Sequence, residues 1–217
     1  MSPLTRSKYA TLIGDVVESR RAGSQEEMFR SLDAAHSWVN ERVAAVQPLR
    51  PTIGDEFQGI YPNVSSALEA ALFLRLFLRG TYDLRFGIGW GEVLTAAPER
   101  APMAQSGAGW WAAREAVEAV AELTKGRGWP RSVRTRVIGL GDSLDAVVNA
   151  LAICQDQVLS KMDRKDCRLA IGMFEGERQS DLAESLAMSQ SEVSRRQLEN
   201  GPAALYRAYL SIREFAS

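Results

Sequence analysis

The stretch Thr52–Tyr61, TIGDEFQGIY, constrains the fold of this chain more than any other. Ile53 leads into a Gly54-Asp55 turn. Beyond it the residues alternate, with Phe57, Gly59 and Tyr61 on one side and Glu56, Gln58 and Ile60 on the other. This pattern predicts two strands joined by a tight turn with an acidic tip. A carboxylate on such a tip can hold a divalent metal if a neighbouring strand brings a second one. Upstream, the apolar run Tyr9–Ile13 ends at Gly14-Asp15, and a helical pattern follows. Asp15 therefore falls at the C-terminal end of a strand, where open α/β sheets place their ligands. Mg²⁺ takes one or two carboxylates plus substrate phosphates, and Asp15 with Asp55 fits that demand.

The surrounding pattern is a strand over 9–15 and a helix from Ser24 to about Val46. Ser24 and Glu27 form an expected capping box, and Pro48 and Pro51 stop the helix. After the hairpin comes a helix capped by Asn63 or Ser65 and ended at Gly80, then a glycine-rich strand, RFGIG, continued by Gly91-Glu92-Val93. The order β-α-β-β-α-β is the ferredoxin-like arrangement, an α+β fold with both helices on one face of an antiparallel sheet. Gly87, Gly89 and Gly91 lack the third glycine of a dinucleotide fingerprint and instead allow close backbone approach. A loop is expected over 95–109, a helix from Trp110 to Leu123, a strand over Val133–Ile138, and a helix from Leu144 to about Met162 capped by Asp142. The charged patch Asp163–Asp166 marks a boundary. The expected division is 1–140, a connecting helix over 141–163, and a small all-α domain over 164–217.

Composition bounds the rest. A net charge of −1 exerts no global pull on nucleic acid or acidic lipid. Two cysteines, Cys154 and Cys167, make no disulfide framework, and with no signal peptide they suggest a reducing cytoplasm. The apolar stretch Ala67–Leu78 is broken by Glu69 and Arg75, so it predicts an amphipathic helix and no membrane partner. The single histidine, His36, lies mid-helix and is assigned a structural or solvent role.

The tail has its own pattern. In DLAESLAMSQSEVSRRQL, Ser189 and Glu192 form a second expected capping box, and Leu182, Ala183, Leu186, Ala187 and Val193 suit the elbow of a helix-turn-helix. Its second helix would present Gln190, Ser191, Ser194, Arg195 and Arg196 to the major groove of double-stranded DNA. Seven basic and eight acidic residues over 165–217 leave this segment at net −1, which keeps a protein-interaction module open as an alternative.

LIGDVVESR, TIGDEFQGIY and RFGIGWGEV together resemble the first strand, hairpin and following strand of the class III nucleotide cyclases and the GGDEF diguanylate cyclases. With the tail, nearly the whole chain is similar to the SatD family, which couples a cyclase-like palm to a DNA-binding module. The resemblance implies metal ligation by Asp15 and Asp55 and a charge-stabilising role for Arg114. Trp110 stands where the cyclases carry a ribose-holding Asn. Pro51 stands where adenylyl cyclases carry a purine-reading Lys, and Glu18-Ser19-Arg20 replaces the loop after the first Asp. These departures touch base and ribose recognition more than phosphate binding.

Nucleotidyl chemistry is mostly positioning and charge neutralisation. Ser19 and Arg20, before the first helix, would cradle phosphate oxygens, and Arg114 would add a second clamp. The expectation is a cytoplasmic, homodimeric DNA-binding transcriptional regulator whose palm binds a purine or cyclic nucleotide with Mg²⁺. An active cyclase-type enzyme tethered to DNA and a non-catalytic scaffold are the alternatives.

Overall fold

A computed structural model describes residues 6–18, 24–95 and 105–216. The elements run β1 (Arg6–Val16), α1 (Gln25–Asn40), β2 (Gln47–Pro51), β3 (Phe57–Tyr61), α2 (Val64–Phe77), β4 (Leu84–Thr95), β5 (Gln105–Ser106) and α3 (Ala108–Leu123). They continue with β6 (Thr135–Ile138), α4 (Asp142–Lys161), α5 (Arg164–Glu175), α6 (Gln179–Ser185), α7 (Gln190–Glu199) and α8 (Pro202–Ala216). The strand order β2-β3-β1-β4 is antiparallel throughout, as the β-α-β-β-α-β reading requires. The outer edge of β4 is shared by β5, antiparallel, and β6, parallel, so the sheet is mixed.

The period of two along β1 sends its side chains to two different cores. Ala10, Leu12 and Val16 join α1 and α2 on one face. Ile13 joins Ile60, Trp110, Ala113 and Val117 under α3 on the other. The glycines of β4 are what let α3 sit there. A Cβ at Gly87 would lie 2.1 Å from Ala113 O, and one at Gly89 would lie 2.1 Å from Gly109 O. Helix backbone rests directly on strand backbone, and only glycine permits that approach.

Several local expectations change. Helix α1 ends at Asn40, well before Val46, because the Asn40 side chain exchanges two hydrogen bonds with the backbone of Leu49 (2.8 and 3.1 Å). Pro48 and Pro51 do not stop a helix. They lie in the edge strand β2, where a missing N–H is tolerated. Ser24 is the N-cap of α1 by position, but its side chain makes no capping bond. Asn63 caps α2. Gly141, not Asp142, is the cap residue of α4, and Asp145 accepts the N–H groups of Gly139 and Leu140 at 3.0 Å each. The charged patch at 163–166 is a complete capping box, Asp163 with Asp166, that opens α5.

Helix α2 is buried nearly all round, from Ala67 to Leu76 with the exception of Glu69, because it lies between the sheet and the C-terminal helices. One core runs through it. Phe73 stacks edge-on against Phe174 of α5 (centroids 5.0 Å apart), and Cys167, Ala170 and Leu205 join the cluster that holds Phe57 and Phe86. A smaller cluster of Leu169, Leu182, Ala183 and Val193 fixes α6 and α7 to α5. Asp156 of α4 is fully buried. It pairs with Arg75 of α2 and accepts from Arg134 N (2.6 Å), Thr135 N (2.9 Å) and Thr135 Oγ1 (3.3 Å). Among the described residues, no helix is long and apolar enough to cross a membrane.

Candidate functional site

The acidic residues flagged in the sequence converge at one end of the sheet, on the face covered by α3. Asp15 ends β1 on the same side of the pleat as Ile13. Asp55 sits in the hairpin turn, and its Oδ2 accepts the N–H of Val16 at 3.3 Å, which fixes the tip against the end of β1. Gly54, at φ +65°, makes that turn in the left-handed region with open space around it. Glu56 follows on the α3 side.

Two arginines balance these three acids. Arg85 lies directly across β4 from Asp15 in the antiparallel register. Its Nε and Nη2 donate to Asp15 Oδ2 at 3.0 and 2.9 Å. Oδ1 lies 2.7 Å from Nε, but the N–H is spent on Oδ2, so the buried Oδ1 accepts no hydrogen bond. Arg114 of α3 forms a two-pronged pair with Glu56, Nη1 to Oε2 at 2.6 Å and Nη2 to Oε1 at 2.8 Å. Burial raises the pKa of Asp15. Arg85 opposes that shift, and the charges of Asp55 and Glu56 reinforce it. The bond to Glu56 raises the pKa of Arg114, to which the charge of Asp15 also contributes. Beside Arg85 a cavity of about 170 Å³ is lined by Val17, Val120, Thr124, Arg131 and Arg134. Among the described residues no cluster of three or more His, Cys, Asp or Glu forms a ready cation cage. Ser19 and Arg20 lie outside the described residues.

The model of the SatD family matches residues 9–216. This chain belongs to the SatD family. No curated protein matches it. Among solved structures, it resembles the catalytic core of a rhodopsin-guanylyl cyclase with converted specificity, in complex with ATPalphaS. That match has 16% identity and a TM-score of 0.40, and covers 52% of this chain and 74% of that one. A guanylyl cyclase domain of the fungus Blastocladiella emersonii matches at 14% identity and TM-score 0.41, over 52% and 76% of the two chains. A bacterial light-regulated adenylyl cyclase matches at 12% and 0.38, over 61% and 76%.

The SatD-family chain differs from its sequence expectations at the edges of the site. Trp110, at the position of the cyclases' Asn, is a core residue beside Ile13 and Val117, and its Nε1 has no acceptor among the described residues. Pro51 ends β2 and is exposed. His36 is buried against Phe57 (centroids 4.7 Å apart), and burial lowers its pKa to about 4. Arg85 was missed in the sequence. It lies on the same side of β4 as Gly87 and Gly89, so the glycine stripe that marks the α3 face also marks Arg85.

At the other end of the molecule, the Ser189 side chain caps α7 by accepting from Glu192 N at 3.2 Å. Gln190, Ser191 and Arg195 are exposed on that helix and Ser194 is half-buried. Arg196 does not share their face. Its side chain is 16% exposed and its Nη2 contacts Asp163 (2.5 Å) and Asp166 (2.9 Å), the two acids of the α5 capping box. That pairing makes Arg196 a structural link between α7 and α5.

Proposed function

We propose that this SatD-family chain is a nucleotide-responsive DNA-binding transcriptional regulator, with a cyclase-like palm that binds a purine or cyclic nucleotide together with Mg²⁺. The observation that supports it most is Asp15. Its carboxylate is half-buried, is held on one side by Arg85, and lies beside Asp55, with the charge of Glu56 also acting on it. Two hard oxygen donors completed by phosphate oxygens suit Mg²⁺, so Asp15 and Asp55 would hold the ion. When bound, the ion polarises and neutralises phosphate oxygens. Arg85 holds the Asp15 carboxylate in place, and Arg131 lines the adjoining cavity, where phosphate oxygens would find a donor, while Arg134 at the same cavity is held by Asp83.

Binding without turnover fits the remaining residues better than cyclisation. Trp110 is committed to the core with its indole N–H buried there, and Arg114 is held by Glu56. Gln190, Ser191 and Arg195, with Ser194 beside them, are the residues of α7 that would meet DNA base edges and phosphates. Arg196 positions the helix. In a homodimer two such helices would read a two-fold operator at a spacing of roughly 34 Å. The nucleotide would act by binding one arrangement of the pair better than the other.

Thermal stability against purine nucleotides and cyclic dinucleotides, with and without Mg²⁺, tests this reading. A ligand at 100 times its dissociation constant should stabilise the fold by about 2.7 kcal/mol. The expected result is a Mg²⁺-dependent shift lost in Asp15→Asn, with operator affinity that follows the same ligand and no product. Product formation abolished by Asp15→Asn would establish an enzyme instead. No shift with any ligand would remove the palm site.

A further inference from the structure

A second cavity, of about 440 Å³, opens on the face of the molecule that carries α1 and α2, where these helices meet α5. Four arginines line it: Arg42 from the end of α1, Arg79 from just beyond α2, and Arg164 and Arg168 from α5. Its apolar wall includes Trp38, Phe77 and Ile171, and Phe77 is 39% exposed there. Glu175 is the one acid among the lining residues, and it is taken by Arg42 at 2.7 Å. Arg168 is paired with Glu177 at 2.7 Å.

The other two guanidinium groups are satisfied only by neutral acceptors. Arg79 donates to Met162 O and Ser160 O at 2.8 Å each. Arg164 donates to Gly80 O at 2.6 Å and Thr81 Oγ1 at 3.2 Å. Among the described residues neither has a carboxylate partner. Two positive charges are thus held in position beside an apolar wall with no carboxylate at ion-pair distance among the described residues, which is the arrangement that selects an anion carrying an apolar or planar group.

We infer that this cleft binds a small phosphorylated molecule, a phosphate monoester whose organic part lies against Phe77 and Ile171. The phosphate would bridge Arg79 of the sheet-bearing half to Arg164 of α5. Asp163, next to Arg164, is one of the acids that hold Arg196 of α7. Occupancy would therefore tie α5, and through it α7, to the α1–α2 face. This site is independent of Asp15 and needs no metal.

Titration calorimetry on the full chain, in EDTA and at constant ionic strength, tests it with three probes: adenosine 5′-monophosphate, inorganic phosphate and adenosine. The monophosphate is expected to bind most tightly, phosphate at least tenfold more weakly, and adenosine not at all. Arg164→Gln and Arg79→Gln should each weaken the monophosphate at least tenfold. Arg164 is exposed, so its variant folds even if the Arg79 change disturbs α4. Asp15→Asn should leave the binding unchanged, which separates this site from the palm. Absence of monophosphate binding, binding retained in Arg164→Gln, or binding lost in Asp15→Asn would each overturn the inference.

Discussion

Two acid–arginine groups in this molecule differ in how fully their hydrogen bonds are met. In the interior, Asp156 accepts from Arg75, from two backbone N–H groups and from Thr135 Oγ1. Both of its oxygens are used. At the sheet end, Asp15 accepts hydrogen bonds from Arg85 on one oxygen and none on the other, which lies against the same guanidinium, with Asp55 beside it and the charge of Glu56 acting on it. The first group is closed: α2, α4 and β6 meet at it, and nothing further can be accepted. The second is open and carries three acids against two arginines. A buried polar group that is fully satisfied specifies packing, whereas one left partly satisfied beside like charge has capacity for a ligand.

The sharpest way to break this comparison is to remove one partner from each group. Asp156→Ala leaves Arg75 charged and buried without a counter-ion, and should cost about 3–5 kcal/mol. Urea denaturation would show it as a large fall in midpoint, and a loss under ~1 kcal/mol would mean the pair is not closed.

Next in size is His36, buried under the hairpin with both ring nitrogens unpartnered among the described residues. Its pKa falls to about 4 through burial. The unfolded chain takes up this proton near pH 6.5, before the folded one does, so stability is lost as pH falls from about 6.5 toward 4. The full effect is roughly 3 kcal/mol. Asp15, with a pKa raised by burial, opposes it by gaining stability as it protonates. In His36→Phe the acid-side loss should shrink when stability is measured across that window.

Glu56→Gln breaks the outer pair of the open group. Arg114 is 46% exposed there, so the change should cost no more than about 1 kcal/mol. Any larger loss in a thermal melt would place that pair among the structural ones.

The smallest expected effect is the most diagnostic. Asp15→Asn removes a carboxylate that burial disfavours in its charged form, so stability at neutral pH should stay level or rise slightly. A clear destabilisation would make Asp15 a packing residue like Asp156.

Much of the sheet and its helices was readable in the sequence because the signals are local. The alternation after Gly54-Asp55, the apolar run ending at Asp15 and the glycine stripe of β4 each report their own backbone conformation. Together they predicted the β-α-β-β-α-β order. The convergence of Asp15 and Asp55 followed from that order. The charged patch at 163–166, expected as a boundary, is the capping box that opens α5. The prolines misled at Pro48 and Pro51, since a proline that would end a helix is equally at home in an edge strand.

What the sequence determined by itself was the main strands and helices around the sheet and the faces most of their side chains take, since these follow from periods of 2 and 3.6 residues. Only the tertiary structure decided the partners. Arg85 meets Asp15 through a register between strands that lie far apart in sequence, and Arg75 meets Asp156 through an ion pair between α2 and α4, helices far apart in sequence. Arg196 reaches Asp163 and Asp166 because the small core under α6 and α7 turns that side of the helix inward. Which charges are paired and which are left available depends on distances across elements, and no local pattern encodes a distance that only the folded core creates.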